Sequence, residues 1–312
     1  MKALAMTDFG VPPAVIEVPD PSAGPDEVLV RVRAASLNAY DTFVAMGAMK
    51  EYLPHEFPAV IGMDVAGVVE AVGDGVEGLA AGDRVFGTMG SKGAVHDGSF
   101  GMLATPKAAA LARTPEGVDD QQAGSLGVAA TTARSALDAL HLTEGARVLV
   151  VGATGGVGSF AVQLAVAGGA HVIASVRPGD EQFVTDLGAA ETVDYTGDLG
   201  TTVSERYPEG VDCLIDLVNR DPEAFASLAS LVRKGGRAAS AVGGAGQADE
   251  IDGVAVSNVN SNPALLDTVA GMVADGNITV SIRRAYRLAD AAEALSDFTN
   301  RHTLGKLVIA VD

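Results

Sequence analysis

The chain of 312 residues is poor in cysteine, aromatic residues and positive charge, and each shortage excludes a class of structure or function. Cys213 is the single cysteine, which rules out an internal disulfide and a metal site built from several thiolates. It lies in an apolar run, where a buried, unreactive thiol is expected. Tryptophan is absent and aromatic residues make up 4%, whereas glycine occurs 38 times. A core of small aliphatic residues joined by many tight turns favours α/β architecture over a β-sandwich.

Basic residues are also scarce, because 21 Lys and Arg face 40 Asp and Glu and the formal net charge is −19. Such a charge repels phosphate backbones and anionic lipids, so we expect neither nucleic acid nor a membrane as partner. The uncharged stretch 148–176 contains several glycines, which divide it into a strand, a turn, a helix and a second strand, each too short to span a bilayer. No signal peptide is visible at the N-terminus, and a cytoplasmic protein is predicted.

The hydrophobic pattern changes near residue 119, and this change divides the chain. Before it, short half-buried strands such as Glu27–Ala34 and Asp64–Val72 are separated by Gly-rich turns. After it, strands alternate with helices, which predicts a parallel sheet with right-handed crossovers. We predict a catalytic domain over 1–121, a dinucleotide-binding domain over 122–270 and a segment, 271–312, that returns to the first domain.

Individual elements of the second pattern can also be predicted from their periodicity. Asp119–Leu140 is predicted to be helical, with a break near Gly124–Gly127. The last segment is predicted to contain a strand at Ile278–Val280. The other predicted elements are the strands Arg147–Val151, His171–Val176, Thr192–Asp194, Val211–Leu217, Gly236–Val242 and Lys306–Ala310, and the helices Gly156–Ala167, Asp180–Leu187, Leu199–Arg206, Pro222–Leu231, Ala264–Ala274 and Leu288–Asn300.

A Gly-rich turn joins the strand Val148–Val151 to an uncharged helix, and a second strand follows about 20 residues later, as a dinucleotide-binding unit requires. Glycine allows the sharp turn and lets a pyrophosphate approach the backbone N–H groups, while the helix N-terminus adds a partial positive charge. We therefore predict a nicotinamide dinucleotide at this turn. Its predicted contacts are Gly152, Thr154, Gly155, Gly156 and Val157.

The end of the second strand governs the choice between the two nicotinamide dinucleotides. NAD-preferring sites place an acidic residue there, which would repel a 2′-phosphate. Here the strand ends in Ser175 and Arg177, a hydroxyl and a guanidinium suited to phosphate, and Tyr195 is predicted to flank the same pocket. The acidic pair Asp180 and Glu181 follows closely and weakens the attraction. The pattern predicts NADP(H).

Several motifs together resemble one family, the medium-chain dehydrogenase/reductase superfamily, and within it the zinc-independent quinone oxidoreductase (zeta-crystallin-like) group. The resemblance implies an α/β protein with a GroES-like β-rich catalytic domain and a Rossmann domain with a doubly wound parallel sheet that binds the cofactor. It spans nearly the whole chain. The matching motifs are Ser36-Leu37-Asn38 with Asp41, Gly62-Met63-Asp64-Val65-Ala66-Gly67, Val72-Gly73-Asp74-Gly75-Val76, Gly82-Asp83-Arg84-Val85, Ala153–Gly158 with Gln163-Leu164-Ala165, Gly235-Gly236-Arg237 and Gly305-Lys306-Leu307-Val308.

The departures from the zinc-using relatives concern the metal ligands. Those relatives place a Cys ahead of the Asp41 region and Gly-His-Glu where this chain has Gly62-Met63-Asp64. A catalytic zinc needs about three protein ligands. The histidines show no metal-ligand spacing, and no metal is predicted. They are His55, His96, His141, His171 and His302.

The resemblance also implies roles for individual residues. Asn38 corresponds to an amide near the nicotinamide and the substrate, Thr131 to a contact with the nicotinamide, and Lys306 to a basic residue near the pyrophosphate. Tyrosines are the family's candidate proton donors. One such position is Phe43 here, which leaves Tyr52 as the predicted donor. Tyr40 and bulk water are the alternatives.

These expectations predict an NADPH-dependent, zinc-free oxidoreductase that reduces quinones or α,β-unsaturated carbonyls by hydride transfer. The conjugated carbonyl accepts the developing charge and needs only hydrogen-bond donors. Two alternatives remain open: an enoyl-thioester reductase, and a catalytically silent protein that binds NADPH or senses redox state. The family resemblance implies a homodimer, and a small molecule is the expected partner.

Overall fold

The computed structural model describes all 312 residues and contains eighteen strands, nine α-helices and three short 3-10 helices. The first part contains the strands β1 (Lys2–Met6), β2 (Ala14–Glu17), β3 (Val28–Ser36), β4 (His55–Val60), β5 (Asp64–Val72), β6 (Arg84–Thr88), β7 (Val95–Asp97), β8 (Leu103–Ala104) and β9 (Leu111–Arg113), and the helices α1 (Ala39–Ala45) and α2 (Asp120–Ala123). The middle contains α3 (Ala129–Leu140), β10 (Arg147–Val151), α4 (Gly156–Ala167), β11 (His171–Val176), α5 (Glu181–Asp186), β12 (Glu191–Asp194), α6 (Leu199–Arg206), β13 (Val211–Asp216), α7 (Pro222–Ala229), β14 (Val232–Ser240), β15 (Glu250–Ile251) and β16 (Val254–Asn258). The last part contains α8 (Leu266–Ala274), β17 (Ile282–Arg287), α9 (Ala291–Asn300) and β18 (Lys306–Ala310).

The chain folds into two compact units. Unit 1 comprises Met1–Ala129, Pro263–Gly276 and Ile282–Asp312, and unit 2 comprises Ala130–Asn262 and Asn277–Ser281. The last part of the chain therefore belongs mainly to unit 1. A boundary at residue 270, as predicted from the sequence, falls inside α8.

Unit 1 is rich in antiparallel β-structure. One sheet has the order β17-β18-β3-β5-β6-β9, with β8 also paired to β3, and a smaller sheet has the order β2-β1-β4-β7. The C-terminal strand β18 pairs with β3 in an antiparallel register that places Val308 opposite Ser36. This pairing brings the beginning of β18 beside the end of β3, although nearly the whole sequence separates them. The core of the unit includes the fully buried side chains of Leu37 and Phe100.

Unit 2 contains a seven-stranded sheet with the order β12-β11-β10-β13-β14-β16-β15, in which all neighbours are parallel except β15 and β16. Three successive residues of β10, Val148, Leu149 and Val150, have no exposed surface, as expected for a strand that helices cover on both faces. The strand order reverses at β10, which lies between β11 and β13. In such sheets, ligands bind beside the carboxyl ends of the strands at the point of reversal. The predicted mixed α/β architecture is confirmed.

Predicted elements near residues 236, 120 and 278 differ from the structure. The strand predicted at Gly236–Val242 is β14, which covers Val232–Ser240 and so begins four residues earlier than predicted. The helical stretch near residue 120 is divided into α2 and α3 by the segment 124–128, close to the predicted break. The strand predicted at Ile278–Val280 does not form, and the strand of this region is β17. Residues 277–281 instead attach to unit 2, because Gln163 accepts a hydrogen bond from the backbone N–H of Thr279 at 2.7 Å and donates one to its carbonyl oxygen at 3.0 Å.

Candidate active site and cofactor site

The turn between β10 and α4 has the shape of a phosphate cradle. Gly152 has a φ of +84°, a conformation that L side chains rarely adopt, and a Cβ there would lie 2.8 Å from Val218. A Cβ on Gly158 would lie 2.1 Å from the carbonyl oxygen of Gly152, so α4 packs against the turn at a distance that only glycine permits. Between them, Gly155, Gly156 and the Val157 side chain remain partly exposed.

The first turn of α4 leaves backbone donors available. Gly155 is its N-cap and supplies no side-chain hydrogen bond, and the N–H groups of the first helical turn have no carbonyl oxygen four residues earlier in the helix. These donors and the helix dipole together suit a pyrophosphate. The predicted Thr154 is 5% exposed and lies inside the turn. A nicotinamide dinucleotide therefore fits the residues present.

Of the three residues predicted to form the 2′-phosphate pocket, Ser175 and Arg177 lie at the end of β11, and Tyr195 directly follows β12. Ser175 is 1% exposed, and its Oγ accepts a hydrogen bond from the N–H of Gly152 at 3.2 Å, so this hydroxyl braces the glycine turn. Arg177 is half-exposed, and its Nε donates to Oδ2 of Asp180 at 2.8 Å. Tyr195 is 41% exposed and follows the neighbouring strand, with its backbone N–H bonded to the carbonyl oxygen of Val176. Arg177 and Tyr195 thus lie on adjacent strand ends.

Two further polar residues of unit 2 were not predicted as site residues. Asp216 and Ser240 are fully buried at the carboxyl ends of β13 and β14. Asp216 accepts hydrogen bonds from the N–H groups of Val218 and Asn219, and Ser240 accepts one from Gly244 at 2.9 Å. Both shape the loops at the edge where the glycine turn lies. A polar residue that ends an otherwise apolar strand is the sequence signal that identifies them.

Thr131, the predicted nicotinamide contact, lies in α3 of unit 2 and has no exposed surface. Its Oγ1 accepts a hydrogen bond from the N–H of Asn262 at 3.3 Å. This hydrogen bond joins α3 to Asn262, the last residue of the segment Ala130–Asn262 of unit 2. Its role at the nicotinamide stays a prediction.

Unit 1 contains a buried cluster of polar and charged side chains around Asn38, which is the N-cap of α1. The Lys306 ammonium donates to Oδ1 of Asn38 at 2.7 Å and to the carbonyl oxygen of Leu37 at 2.9 Å, and it lies 3.6 Å from Oδ2 of Asp64. The Asn38 amide in turn donates from Nδ2 to Oδ2 of Asp64 at 2.9 Å. We call Ser36, Asn38, Asp41, Asp64 and Lys306 the Asn38 cluster.

The backbone delivers further donors to the two carboxylates of the Asn38 cluster. The segment between α2 and α3 brings the Val128 N–H to within 2.7 Å of Oδ1 of Asp64, whose Oδ2 also accepts from the hydroxyl of Ser36. Asp41 accepts from the N–H of Asn38 at 2.7 Å and so joins the first turn of α1 to its cap. Asp64 thus accepts hydrogen bonds from Ser36, Asn38 and Val128.

Burial governs the charges of this cluster. It raises the pKa of Asp41 to about 8, and the charge of Asp64 acts in the same direction, against the opposing effects of the Asn38 N–H and the Lys306 ammonium. Burial likewise lowers the pKa of Lys306, while Asp64 and Asp41 counteract this effect. With its pKa of about 8, Asp41 is largely protonated at neutral pH, and the Lys306 amine lies beside Asp64.

These residues do not fit a zinc ion. Asn38 and Met63 are not the thiolate and imidazole that zinc prefers, and no group of three or more His, Cys, Asp or Glu side chains in the chain is placed to hold a metal. The ammonium of Lys306 also already neutralises the carboxylate of Asp64.

The remaining predicted residues, Lys306, Tyr52 and Tyr40, differ in how deeply they are buried. Lys306 is 2% exposed and its donors are directed to unit 1, so its role at a pyrophosphate stays a prediction, while the geometry gives it a partner in Asp64. Tyr52 is 78% exposed and makes no side-chain hydrogen bond. Tyr40 is half-buried against the core of unit 1, and burial raises its pKa. No contact of Tyr52 supports a positioned proton donor.

Comparisons with known proteins identify the family. Residues 24–116 match the alcohol dehydrogenase GroES-like domain, and residues 187–309 match the zinc-binding dehydrogenase family. The chain is 30% identical over 319 residues to a quinone oxidoreductase of Pseudomonas aeruginosa, covering 95% of this chain and 96% of that protein. The chain belongs to the medium-chain dehydrogenase/reductase superfamily.

Two further similarities agree with this assignment. The NADPH-dependent alkenal/one oxidoreductase of Arabidopsis thaliana chloroplasts is 30% identical over 319 residues, with 99% of this chain and 79% of that protein covered. The structure of the quinone oxidoreductase from Coxiella burnetii superposes with a TM-score of 0.89 at 27% identity and covers 100% of this chain and 99% of that one. The chain is therefore an oxidoreductase that uses a nicotinamide cofactor. None of its helices combines the length and hydropathy needed to cross a lipid bilayer.

Proposed function

We propose that this protein reduces quinones or α,β-unsaturated carbonyl compounds by hydride transfer from NADPH, without a metal. The observation that carries the proposal is the Asn38 cluster: its side chains bind one another, and Asn38 and Asp64 belong to the motifs in which, by the family resemblance, zinc-using relatives carry their metal ligands. A conjugated carbonyl delocalises the charge that arrives with the hydride, so its reduction depends less on a Lewis acid than alcohol oxidation does. The names of the relatives from Pseudomonas and Arabidopsis support the same chemistry.

The preference for NADPH is part of the proposal. The N–H groups of the first turn of α4 would hold the pyrophosphate, and the turn itself is braced by Ser175. Arg177 uses Nε for Asp180, and its two Nη groups make no hydrogen bond within the chain, so they are available to a 2′-phosphate. The carboxylate of Asp180 reduces the net attraction. We therefore expect a moderate preference for NADPH rather than complete exclusion of NADH.

We propose that the proton that completes the reduction comes from solvent. After hydride delivery the α-carbon of an enone, or an oxygen of a quinone, needs a proton, and the exposed hydroxyl of Tyr52 lies in contact with water. Tyr52→Phe should therefore change kcat by less than about twofold, since an unpositioned acid contributes little catalysis. A fall of roughly a hundredfold in kcat with an unchanged cofactor Kd would instead establish Tyr52 as the donor.

The experiment that tests the proposed function is a substrate panel followed by loss of NADPH absorbance. The panel contains a small quinone, an alkenal, a crotonyl thioester and a saturated aldehyde. Turnover of the quinone or the alkenal, with none of the saturated aldehyde, is the expected result. Preference for the thioester would establish the enoyl-thioester reductase, and binding of NADPH without turnover would establish the silent binding protein. The homodimer and the cytoplasmic location remain predictions.

A further inference from the structure

The residues that follow β11 in unit 2 form a tight turn whose shape is determined by their sequence. The N–H of Asp180 donates to the carbonyl oxygen of Arg177 at 3.2 Å, and Gly179 has a φ of +100°. A type II turn favours proline in its second place and glycine in its third, which is the order of Arg177-Pro178-Gly179-Asp180. Glu181 closes the turn further, because its Oε2 accepts from the N–H of Gly179 at 2.8 Å. The turn brings Asp180 back beside Arg177.

The side chains at the two ends of this turn bind each other. Nε of Arg177 donates to Oδ2 of Asp180 at 2.8 Å, and the side chain of Asp180 is 9% exposed whereas that of Arg177 is 45% exposed. A guanidinium is planar and carries its N–H groups in a fixed fork, so a hydrogen bond at Nε restricts the direction of the whole group. The two Nη groups make no hydrogen bond within the chain. They form the edge that can bind a phosphate through two parallel hydrogen bonds.

Asp180 acts on a 2′-phosphate in two opposing ways. Its charge repels the phosphate, but at an exposed rim water and salt screen this repulsion, which leaves an effect of about twofold in affinity. Its hydrogen bond orders the Arg177 side chain before a ligand binds. Immobilising such a long side chain during binding otherwise costs about twofold to tenfold in affinity. The ordering of Arg177 is therefore the larger of the two effects.

We propose that Asp180 is a positioning residue that strengthens the binding of NADPH by holding Arg177. The inference rests on the proposed function, because it concerns the preference for NADPH. In NAD-preferring sites, the carboxylate at the end of the second strand accepts hydrogen bonds from the ribose hydroxyls. Here the second strand ends at Val176, and the carboxylate of Asp180 is directed to Nε of Arg177. An acid in this loop thus favours the phosphate that an acid on the strand would reject.

The test is calorimetric titration of NADPH and NADH with the wild-type protein, Asp180→Ala and Asp180→Asn. Asp180→Ala removes both the charge and the acceptor, so NADPH should bind about twofold to fivefold more weakly while the Kd for NADH stays unchanged. Asp180→Asn keeps an acceptor oxygen for Nε and removes the charge, so it should bind NADPH at least as tightly as wild type. Tighter NADPH binding by both variants would show an effect of charge alone and would overturn the proposal.

Two control variants show whether the effect passes through Arg177. In the Arg177→Ala background, Asp180→Ala should no longer weaken NADPH binding, because no guanidinium is left to be held. Glu181→Gln removes a neighbouring negative charge but keeps an acceptor for the N–H of Gly179, so it should not weaken NADPH binding. If Asp180→Ala still weakened NADPH binding without Arg177, or if Glu181→Gln weakened it equally, the effect would come from the loop as a whole and the proposal would fail.

The protein without cofactor offers a further readout. In NMR spectra of nitrogen-labelled protein, the Nε–H of Arg177 should exchange slowly with water in wild type and Asp180→Asn, and rapidly in Asp180→Ala. Equal exchange in the three proteins would contradict the holding of Arg177. Failure of the proposed function has a different signature: a wild type that binds neither NADPH nor NADH refutes that function. A wild type that prefers NADPH, with an unchanged Kd in Asp180→Ala, refutes the positioning role alone.

Discussion

The glycine turn of unit 2 is formed by backbone atoms, whereas the Asn38 cluster of unit 1 is formed by side chains. In the turn, two glycines leave space that a side chain would fill, so that the N-terminus of a helix can face a ligand. In the cluster, buried side chains fill the space and pair with one another. The turn should therefore be sensitive to added atoms, and the cluster to a removed charge or hydrogen bond.

The largest effect is expected from breaking the cluster's charge pair. Asp64→Asn or Lys306→Met alone leaves a buried charge without its partner, which typically costs about 3–5 kcal/mol. In the double variant Asp64→Asn/Lys306→Met neither charge remains. Its loss of unfolding free energy should therefore be smaller than the sum of the two single losses, by more than about 1 kcal/mol. Urea unfolding of the four proteins measures this coupling. Additive losses would mean that the pair is not a unit.

A single methyl group should damage the glycine turn. Gly158→Ala would place Cβ 2.1 Å from the Gly152 carbonyl oxygen, so helix and turn must separate, at a cost of about 1–3 kcal/mol in stability and with a clear loss of NADPH affinity. Gly271→Ala in α8 is the matched control, because nothing lies within 4 Å of its Cβ. It should stabilise the protein by about 0.5–1 kcal/mol. Thermal unfolding and NADPH titration of both variants check the contrast, and equal behaviour would contradict it.

Asp41 allows the cluster to be tested by pH. Its pKa is about 8 in the folded protein against an ordinary value of 3.8, so its protonated form stabilises the fold. This contribution is complete below about pH 4 and is lost as pH rises to about 8, with a slope of at most about 1.4 kcal/mol per pH unit. Asp41→Asn keeps the acceptor for the Asn38 N–H and cannot ionise. Its stability relative to wild type should therefore rise between pH 5 and pH 8, and a constant difference would show that Asp41 is ionised throughout.

The same contrast explains which features the sequence could predict. The glycine turn is local: strand, turn and helix follow one another within residues 147–167, and the pattern predicts all three. The Asn38 cluster joins residues from β3, α1, β5 and β18, and the pairing of β18 with β3 brings Lys306 to Asn38. No local sequence pattern predicts that Lys306 contacts Asp64. The sequence motifs that contain these residues are recognisable, but the contacts between them depend on tertiary structure.

The smallest effects concern cofactor choice. Arg177→Ala should weaken NADPH by about threefold to tenfold and leave NADH nearly unchanged, since Asp180 already offsets part of the guanidinium charge. Ser175→Ala should weaken both cofactors alike, because this hydroxyl braces Gly152. Calorimetric titration of both cofactors distinguishes the two roles. If Ser175→Ala lost only NADPH affinity, its hydroxyl would contact the 2′-phosphate, and the turn would depend on a side chain after all.

The most direct test of the account is a turnover experiment with chelator-treated protein and NADPH carrying deuterium at the transferable position of C4. Full activity after chelation and deuterium at the β-carbon of the reduced enone are expected, because hydride passes directly from the cofactor and solvent supplies the proton. Activity that disappears on chelation and returns with zinc would contradict the account. So would deuterium that is found in water and not in the product.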